Sequence, residues 1–232
     1  MTTAQGMVVH VRWWGPANTV SQRAVANVIL PSAMAESDAR TIQAILAGEG
    51  DRYAELVEKY QAQALRLAFS LLGNYEDAKD ASQEAFVNAY RSLARFRGTA
   101  RFSTWLYRIV VNECKDVFKK RARQPFVVAT VGEPDPDHDA GGILILDVDD
   151  PRANPSDQLA NRELSRQLSE AIEQLPMKQR TAFVLHHLHG LSLEEVAVVM
   201  SCRTGTVKSH MFRATQHLRT RLTPWVNEEA RS

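Results

Sequence analysis

The chain has 232 residues, of which 44% are hydrophobic and 24% charged, with a formal net charge of +1. No apolar run approaches the ~20 residues of a bilayer span, and the N-terminus lacks the basic, apolar and small-residue pattern of a secretory signal. Its two cysteines, Cys114 and Cys202, form no C-x-x-C pair, so neither a disulfide scaffold nor a cysteine zinc site is indicated, and the expected setting is cytoplasmic.

Residues 1–34 carry two arginines and no acidic side chain. Met7 to Val11 has the composition of a strand but no partner strand elsewhere in the pattern. Residues 1–35 therefore read as an extension, either disordered or upstream of a true start at Met34. A helical block of four elements follows over 36–123. Ile42, Ile45 and Leu46 share a face of the first, which Gly48 stops. The second runs from about Asp51 to Leu72, with Leu56, Val57, Tyr60, Ala64, Leu67, Ala68 and Leu71 at helical spacing and Gly73 as its C-cap. A third spans about Tyr75 to Phe96 and turns Ala78, Ala81, Ala85, Phe86, Ala89 and Leu93 inward, with Gly98 breaking it. Ser103 is the expected cap of a fourth that buries Leu106, Ile109, Val110 and Val117.

Pro125, Pro134, Pro136, Pro151, Pro155, the Gly141–Gly142 pair and a run of aspartates make 124–155 a linker. Within it, Ile143 to Leu146 is an apolar patch too short to be a domain. The last block, 156–223, places Leu164, Leu168, Ile172 and Leu175 on one helix face. Pro176 opens a helix from Met177 to Gly190, and Ser192 with Glu195 forms a capping box for the next. A final helix starts near Thr204 and runs to about Leu222, leaving 224–232 as a tail. The fold class is all-α: two small helical domains joined by a flexible acidic linker.

Charge is distributed unevenly over these blocks. Residues 35–90 hold five basic and ten acidic side chains, 91–123 ten and two, 124–163 two and nine, and 201–223 five and none. Two basic blocks separated by an acidic one suit two contacts with one polyanion. On the last helix, Val207, Met211, Ala214 and Leu218 fall within about 60° of arc at ~100° per residue, while Lys208, Ser209, Phe212 and Arg213 fall on the outward side. A recognition helix needs that division, because one face is held by the domain and the other enters a major groove. Around residue 100, Phe96, Phe102, Trp105 and Tyr107 alternate with Arg95, Arg97, Arg101 and Arg108, and Lys119, Lys120 and Arg121 follow. Stacking rings among phosphate-tracking cations suit single-stranded nucleic acid, although core packing claims some of these rings. His186, His187 and His189 have no nearby acid or cysteine to complete a metal site, so no metal or cofactor is expected.

These residues carry a resemblance. Gln83-Glu84-Ala85-Phe86, Ala89-Tyr90-Arg91, Phe96-Arg97-Gly98, Phe102 to Ile109, and Val111-Asn112 resemble region 2 of the extracytoplasmic-function sigma factors, promoter-recognition subunits of bacterial RNA polymerase. Leu175-Pro176, Gly190-Leu191-Ser192, Glu194 to Ala197 and Gly205 to Ser209 resemble their region 4. The resemblance implies a non-enzyme that joins core polymerase through the largest subunit's clamp helices and the flap, and helps open promoter DNA. Polymerase docking would fall to Asp80, Gln83, Glu84, Asn88 and Arg91. The −10 element would be read, with a base flipped from the non-template strand, by the loop Arg97, Gly98, Thr99, Ala100, Arg101, Phe102, Ser103 and Thr104, with Trp105, Arg108, Asn112, Lys115 and Lys119. The −35 duplex would meet Thr206, Lys208, Ser209, His210, Phe212 and Arg213. An anti-sigma factor is a further expected partner, and no direct membrane insertion is expected. Two departures stand out: Arg203-Thr204 replaces a proline and an apolar residue at the turn, and His210 replaces a frequent arginine, weakening one phosphate contact at neutral pH. The competing readings are a stand-alone helix-turn-helix regulator and a metal-dependent enzyme built on the histidines.

Overall fold

The computed structural model describes residues 31–123 and 166–229, with side chains described over 36–123 and 166–223. The strand-like Met7 to Val11, the linker and its Ile143 to Leu146 patch lie outside the described residues. All regular structure among the described residues is helical. In chain order these are α1 (Pro31–Leu46), a single 3-10 turn (Gly50–Arg52), α2 (Tyr53–Leu72), α3 (Tyr75–Ser92), a second 3-10 turn (Leu93–Arg95) and α4 (Phe102–Arg123). Then come α5 (166–173), α6 (Met177–Phe183) continued by a π-turn (Val184–Leu188), α7 (Leu193–Met200) and α8 (Thr204–Glu229).

Helices α2, α3 and α4 pack on one another around Leu56, Leu67, Leu71, Leu93, Leu106, Val110 and Val111, all essentially without solvent exposure. The alanines of α3 make this possible. Ala78, Ala81, Ala85 and Ala89 are buried and let neighbouring backbones approach closely. Asn74 accepts from the amide of Asp77 to start α3, and Gly73, at φ 69, ends α2 while its amide donates to Phe69. Helix α1 is pinned to α2 by polar groups as well as by Ile42 and Ile45. Buried Asp38 accepts from Tyr60 Oη at 2.5 Å and pairs with Lys59, and Thr41 donates to Glu55 at 3.1 Å.

The second unit closes over Ile172, Leu175, Ala182, Val184, Leu185, Val196 and Val199. The capping box at the start of α7 forms in full: Ser192 Oγ accepts from the Glu195 amide at 3.1 Å, and Glu195 returns a carboxylate oxygen to the Ser192 amide at 2.9 Å.

The observed boundaries differ from expectation in physically interpretable ways. Helix α1 begins at Pro31, five residues ahead of the boundary at 36, because proline is pre-set for the first turn of a helix. Helix α4 begins at Phe102, so Ser103 sits inside the helix and is not its cap; the Trp105 amide already donates to Arg101. The helix from Met177 widens to a π-turn at Val184 and ends short of Gly190. Helix α8 runs on to Glu229, taking in most of the tail, although Pro224 has no N–H to donate to the Thr220 carbonyl one turn earlier.

Candidate nucleic-acid interface

Helices α7 and α8 meet in a tight turn. Ser201 closes α7 at φ 54, its amide donating to Val198, and the amides of Thr206 and Val207 both donate to the Arg203 carbonyl to start α8. The Arg203-Thr204 pair thus supports an ordinary helix start without the usual proline. Val207, Ala214 and Leu218 are buried and Met211 half-buried, so this stripe seats α8 against the domain. Thr206, Lys208, Ser209, Phe212 and Arg213 stand exposed on the other side. Phe212 is 66% exposed, the most exposed large apolar side chain among the described residues. Set among exposed Lys208, Ser209 and Arg213, the ring puts an apolar group beside hydrogen-bond donors, a combination that a major groove can accept. Ser209 Oγ donates back to Gly205 at 3.1 Å, which leaves its lone pairs outward. His210 is half-buried with Nδ1 enclosed and unpartnered; burial, then Lys178 and Arg213, pull its pKa below the ordinary value, so it is neutral at pH 7 and adds no phosphate-binding charge.

The second basic surface is built on α4 and the loop before it. Arg97, Gly98, Thr99 and Arg101 are exposed, and Gly98 turns the chain at φ 68. An aromatic cluster anchors this loop: Phe96 lies 5.3 Å from Trp105 and 5.9 Å from Phe102, and Phe102 lies 5.4 Å from Tyr60, centroid to centroid. Phe102 and Thr104, grouped in the sequence with the DNA-facing loop, are each only 2% exposed. They belong to the first turn of α4 and face the core, so they hold the loop and cannot themselves touch a base; Ala100, Ser103 and Trp105 are partly exposed beside it. Arg108, Asn112, Lys115 and Lys119 continue the surface along α4 at helical spacing, with Lys115 Nζ 3.4 Å from Asn112 Oδ1 and Lys119 paired to Asp116 at 2.7 Å. Burial, then the neighbouring charges of Lys119, Arg108 and Lys178, lowers the Lys115 pKa.

On α3, Asp80, Gln83, Glu84 and Arg91 are exposed along one stripe, with Arg91 3.9 Å from Glu84. Asn88 departs from this set: it is half-buried and donates to Glu113 at 3.0 Å, tying α3 to α4. The sequence reading missed the apolar centre of this face. Val87 and Tyr90 are exposed at 42% and 50% and line a shallow pocket with Gly50, Tyr53, Phe86 and Arg91. Their signal was present, since Val87 lies one turn and Tyr90 two turns from Gln83 on a helix whose inward face is filled by alanines.

The three histidines go to different partners. His186 Nδ1 lies 2.7 Å from the Leu191 carbonyl, His187 stacks on Phe183 at 4.6 Å, and His189 meets Tyr107 edge-on at 5.3 Å. Half-buried, His189 has its pKa pulled down to about 4, first by desolvation and then by the charge of Arg66.

Comparison with known proteins agrees with this geometry. Residues 56–124 match Sigma-70 region 2, and residues 165–218 match Sigma-70, region 4. The chain is 35% identical over 193 residues to the RNA polymerase sigma-H factor of Pseudomonas aeruginosa, covering 83% of this chain and 97% of that one. It is 34% identical over 193 residues to the ECF RNA polymerase sigma-E factor of Escherichia coli K12, covering 82% and 96%. Its fold is similar to that of CnrH in complex with the cytosolic domain of CnrY, with a TM-score of 0.56 at 19% identity over 81% of this chain and 98% of that one. It is also similar to the sigma factor RpoE of Bartonella quintana in complex with the anti-sigma factor NepR, with a TM-score of 0.52 at 24% identity over 73% and 97%. Two helical units, matched in order by both sigma regions, and relatives at 35% identity over most of their length place this chain in the extracytoplasmic-function branch of the sigma-70 family of RNA polymerase sigma factors.

Proposed function

We propose a division of labour within this promoter-recognition function. Helix α8 reads the −35 duplex with Lys208, Phe212 and Arg213, while Thr206 and Ser209 border the contact. The loop Arg97 to Arg101, with Arg108, Asn112, Lys115 and Lys119 on α4, takes the non-template strand of the −10 element. Asp80, Gln83, Glu84 and Arg91 surround Val87 and Tyr90 in a docking face for the clamp helices of core polymerase, and the second unit meets the flap. Aromatic anchors inside a polar rim are the arrangement that carries binding energy in protein interfaces. Base choice then comes from a few side chains, and most of the affinity from phosphates and polymerase.

The observation that carries this reading is Phe212, an exposed ring on a stretch of helix that holds no acid from Thr204 to Thr223, held in place by a buried opposite face. A sigma factor of this kind has no catalytic chemistry of its own and works where polymerase works, in the cytoplasm. An anti-sigma factor, as is bound by the structural relative from Bartonella quintana, is a partner of the same class for this chain. Run-off transcription with purified core polymerase tests the reading. Arg213→Ala should lower promoter-specific initiation while polymerase still co-purifies with the variant. Simultaneous loss of both would overturn the division of labour, and DNA binding with no polymerase association would favour a stand-alone regulator.

A further inference from the structure

Three basic side chains converge beside the reading face of α8 with no acid to balance them. His210 and Arg213 are three residues apart on that helix and so are neighbours on its surface, and Lys178 bears on them from the first turn of α6. Lys178 and Arg213 are exposed and His210 is half-buried. Among the described residues, no carboxylate forms an ion pair with Lys178 or Arg213. The charges that Lys178 does meet, on His210 and on Lys115 of α4, repel it. Packing does not call for the cluster either, because Val207, Ala214 and Leu218 already seat α8, and neither His210 nor Arg213 belongs to that buried stripe. Like charges held together destabilise the free chain, and an anion between them reverses the sign.

His210 is the variable member. It lies about 60° around α8 from Arg213 at ~100° per residue, on the side away from Lys208 and Phe212. Its Nδ1 is enclosed and has no hydrogen-bond partner, so no acceptor within the chain holds a proton there. In the free chain burial, then Lys178 from α6, then Arg213 from α8 itself, work against protonation. A duplex phosphate brought to the same place acts in the opposite direction, since a nearby anion favours the cationic ring.

We propose, on the assignment of α8 to duplex DNA, that Lys178, His210 and Arg213 together hold a backbone phosphate beside the −35 bases, and that His210 takes up a proton as the phosphate docks. A permanent cation contacts DNA with constant strength, whereas this ring makes the contact depend on pH. A group protonated more readily in the complex than in the free chain strengthens binding as pH falls. One proton gives at most about tenfold per pH unit, and the gain levels off once the free ring is protonated as well. Lys178 acts twice, adding a charge toward the phosphate and keeping the ring neutral until the phosphate arrives. The contact is to the backbone, so it sets affinity and its pH response without choosing bases.

Fluorescence anisotropy of the full chain on a random-sequence duplex of about 20 base pairs tests this, because a phosphate contact is blind to sequence. Parent affinity should rise about fivefold from about pH 7.5 to about pH 6.0. Over the same interval the slope of log affinity against log salt should steepen by about 0.9, the value of one added phosphate contact. His210→Gln should abolish both changes. His210→Arg should bind at the higher pH as the parent does at the lower, with no pH response. Lys178→Ala should make the slope at about pH 7.5 shallower by about 0.9. His217→Gln, which alters an exposed histidine two turns farther along α8, should retain the parent's pH response. Circular dichroism checks that each variant keeps its helix content, and His210→Arg decides the matter should His210→Gln unfold. A pH response absent from the parent, retained in His210→Gln or lost in His217→Gln would overturn the proton uptake. An unchanged slope in Lys178→Ala would remove Lys178 from the site. Arg213→Ala separates the two levels: duplex binding as tight as the parent's would mean that α8 does not face DNA, whereas weakened binding with no pH response in the parent would count against the proton uptake alone.

Discussion

Replacing Phe212 with alanine separates a DNA-contacting role from a structural one, because the two predict opposite readouts. A phenylalanine side chain offers roughly 200 Å², and with 66% of the residue exposed about 130 Å² of ring remains for a partner to cover. At roughly 25 cal/mol per Å², complete coverage is worth about 3 kcal/mol, and half coverage about 1.5 kcal/mol, a little over tenfold in affinity. Little stability is at stake, since the ring buries only a minor part of itself and alanine is the better helix former. Phe212→Ala should therefore leave unfolding in urea within about 0.5 kcal/mol of the parent. It should reduce initiation from a −35-dependent promoter about tenfold. A variant destabilised by 2 kcal/mol, or one as active as the parent, would refute the reasoning.

The buried Asp38 network makes a stability prediction. Asp38→Ala leaves the Tyr60 hydroxyl, in a residue only 3% exposed, without its acceptor, at a cost of about 2 kcal/mol. Adding Tyr60→Phe should recover part of that loss in denaturant titrations, and strictly additive losses would contradict the network. His189 makes a pH prediction. Its pKa of about 4 in the folded chain lies below the ordinary 6.5, so its burial contributes fully above pH 6.5 and is lost as pH falls from 6.5 toward 4. Between pH 7.5 and 5.0 that loss is about 2 kcal/mol, and the stability difference between parent and His189→Gln should shrink by this amount over the interval. An unchanged difference would mean that the imidazole is not held neutral. Thiol labelling gives a simpler check: buried Cys114, whose pKa is pushed up to about 12, should resist a thiol reagent in the native chain, while partly exposed Cys202 reacts. Equal labelling of both would contradict the packing of α4.

Much of this architecture was legible from spacing alone. The buried face of α8, the capping box at Ser192 and Glu195, and the alanine face of α3 all follow from periods and caps that act within one or two helical turns. What escaped the sequence depends on contacts between distant segments. Arg180 reads as an ordinary polar position on a short amphipathic helix, and only the end of α2, 109 residues earlier, makes it a buried donor. Phe102 and Thr104 look like loop residues until α4 is seen to begin one residue before the expected cap. Asn88 shares its helix with the docking stripe but faces Glu113, which periodicity within α3 does not reveal. Val87 and Tyr90 differ again: exposed apolar residues are common on a helix, and only the pocket they line with Gly50 and Tyr53 makes them the centre of that surface.

Transcription by core polymerase over a library randomised at both promoter elements tests the central claim most directly. With the parent chain, initiating templates should be enriched at two separate elements. Arg213→Ala should flatten the preference at −35 alone, and Asn112→Ala the preference at −10 alone. Enrichment of a single contiguous site, or loss of both preferences with either substitution, would contradict the assignment of one element to each helical unit.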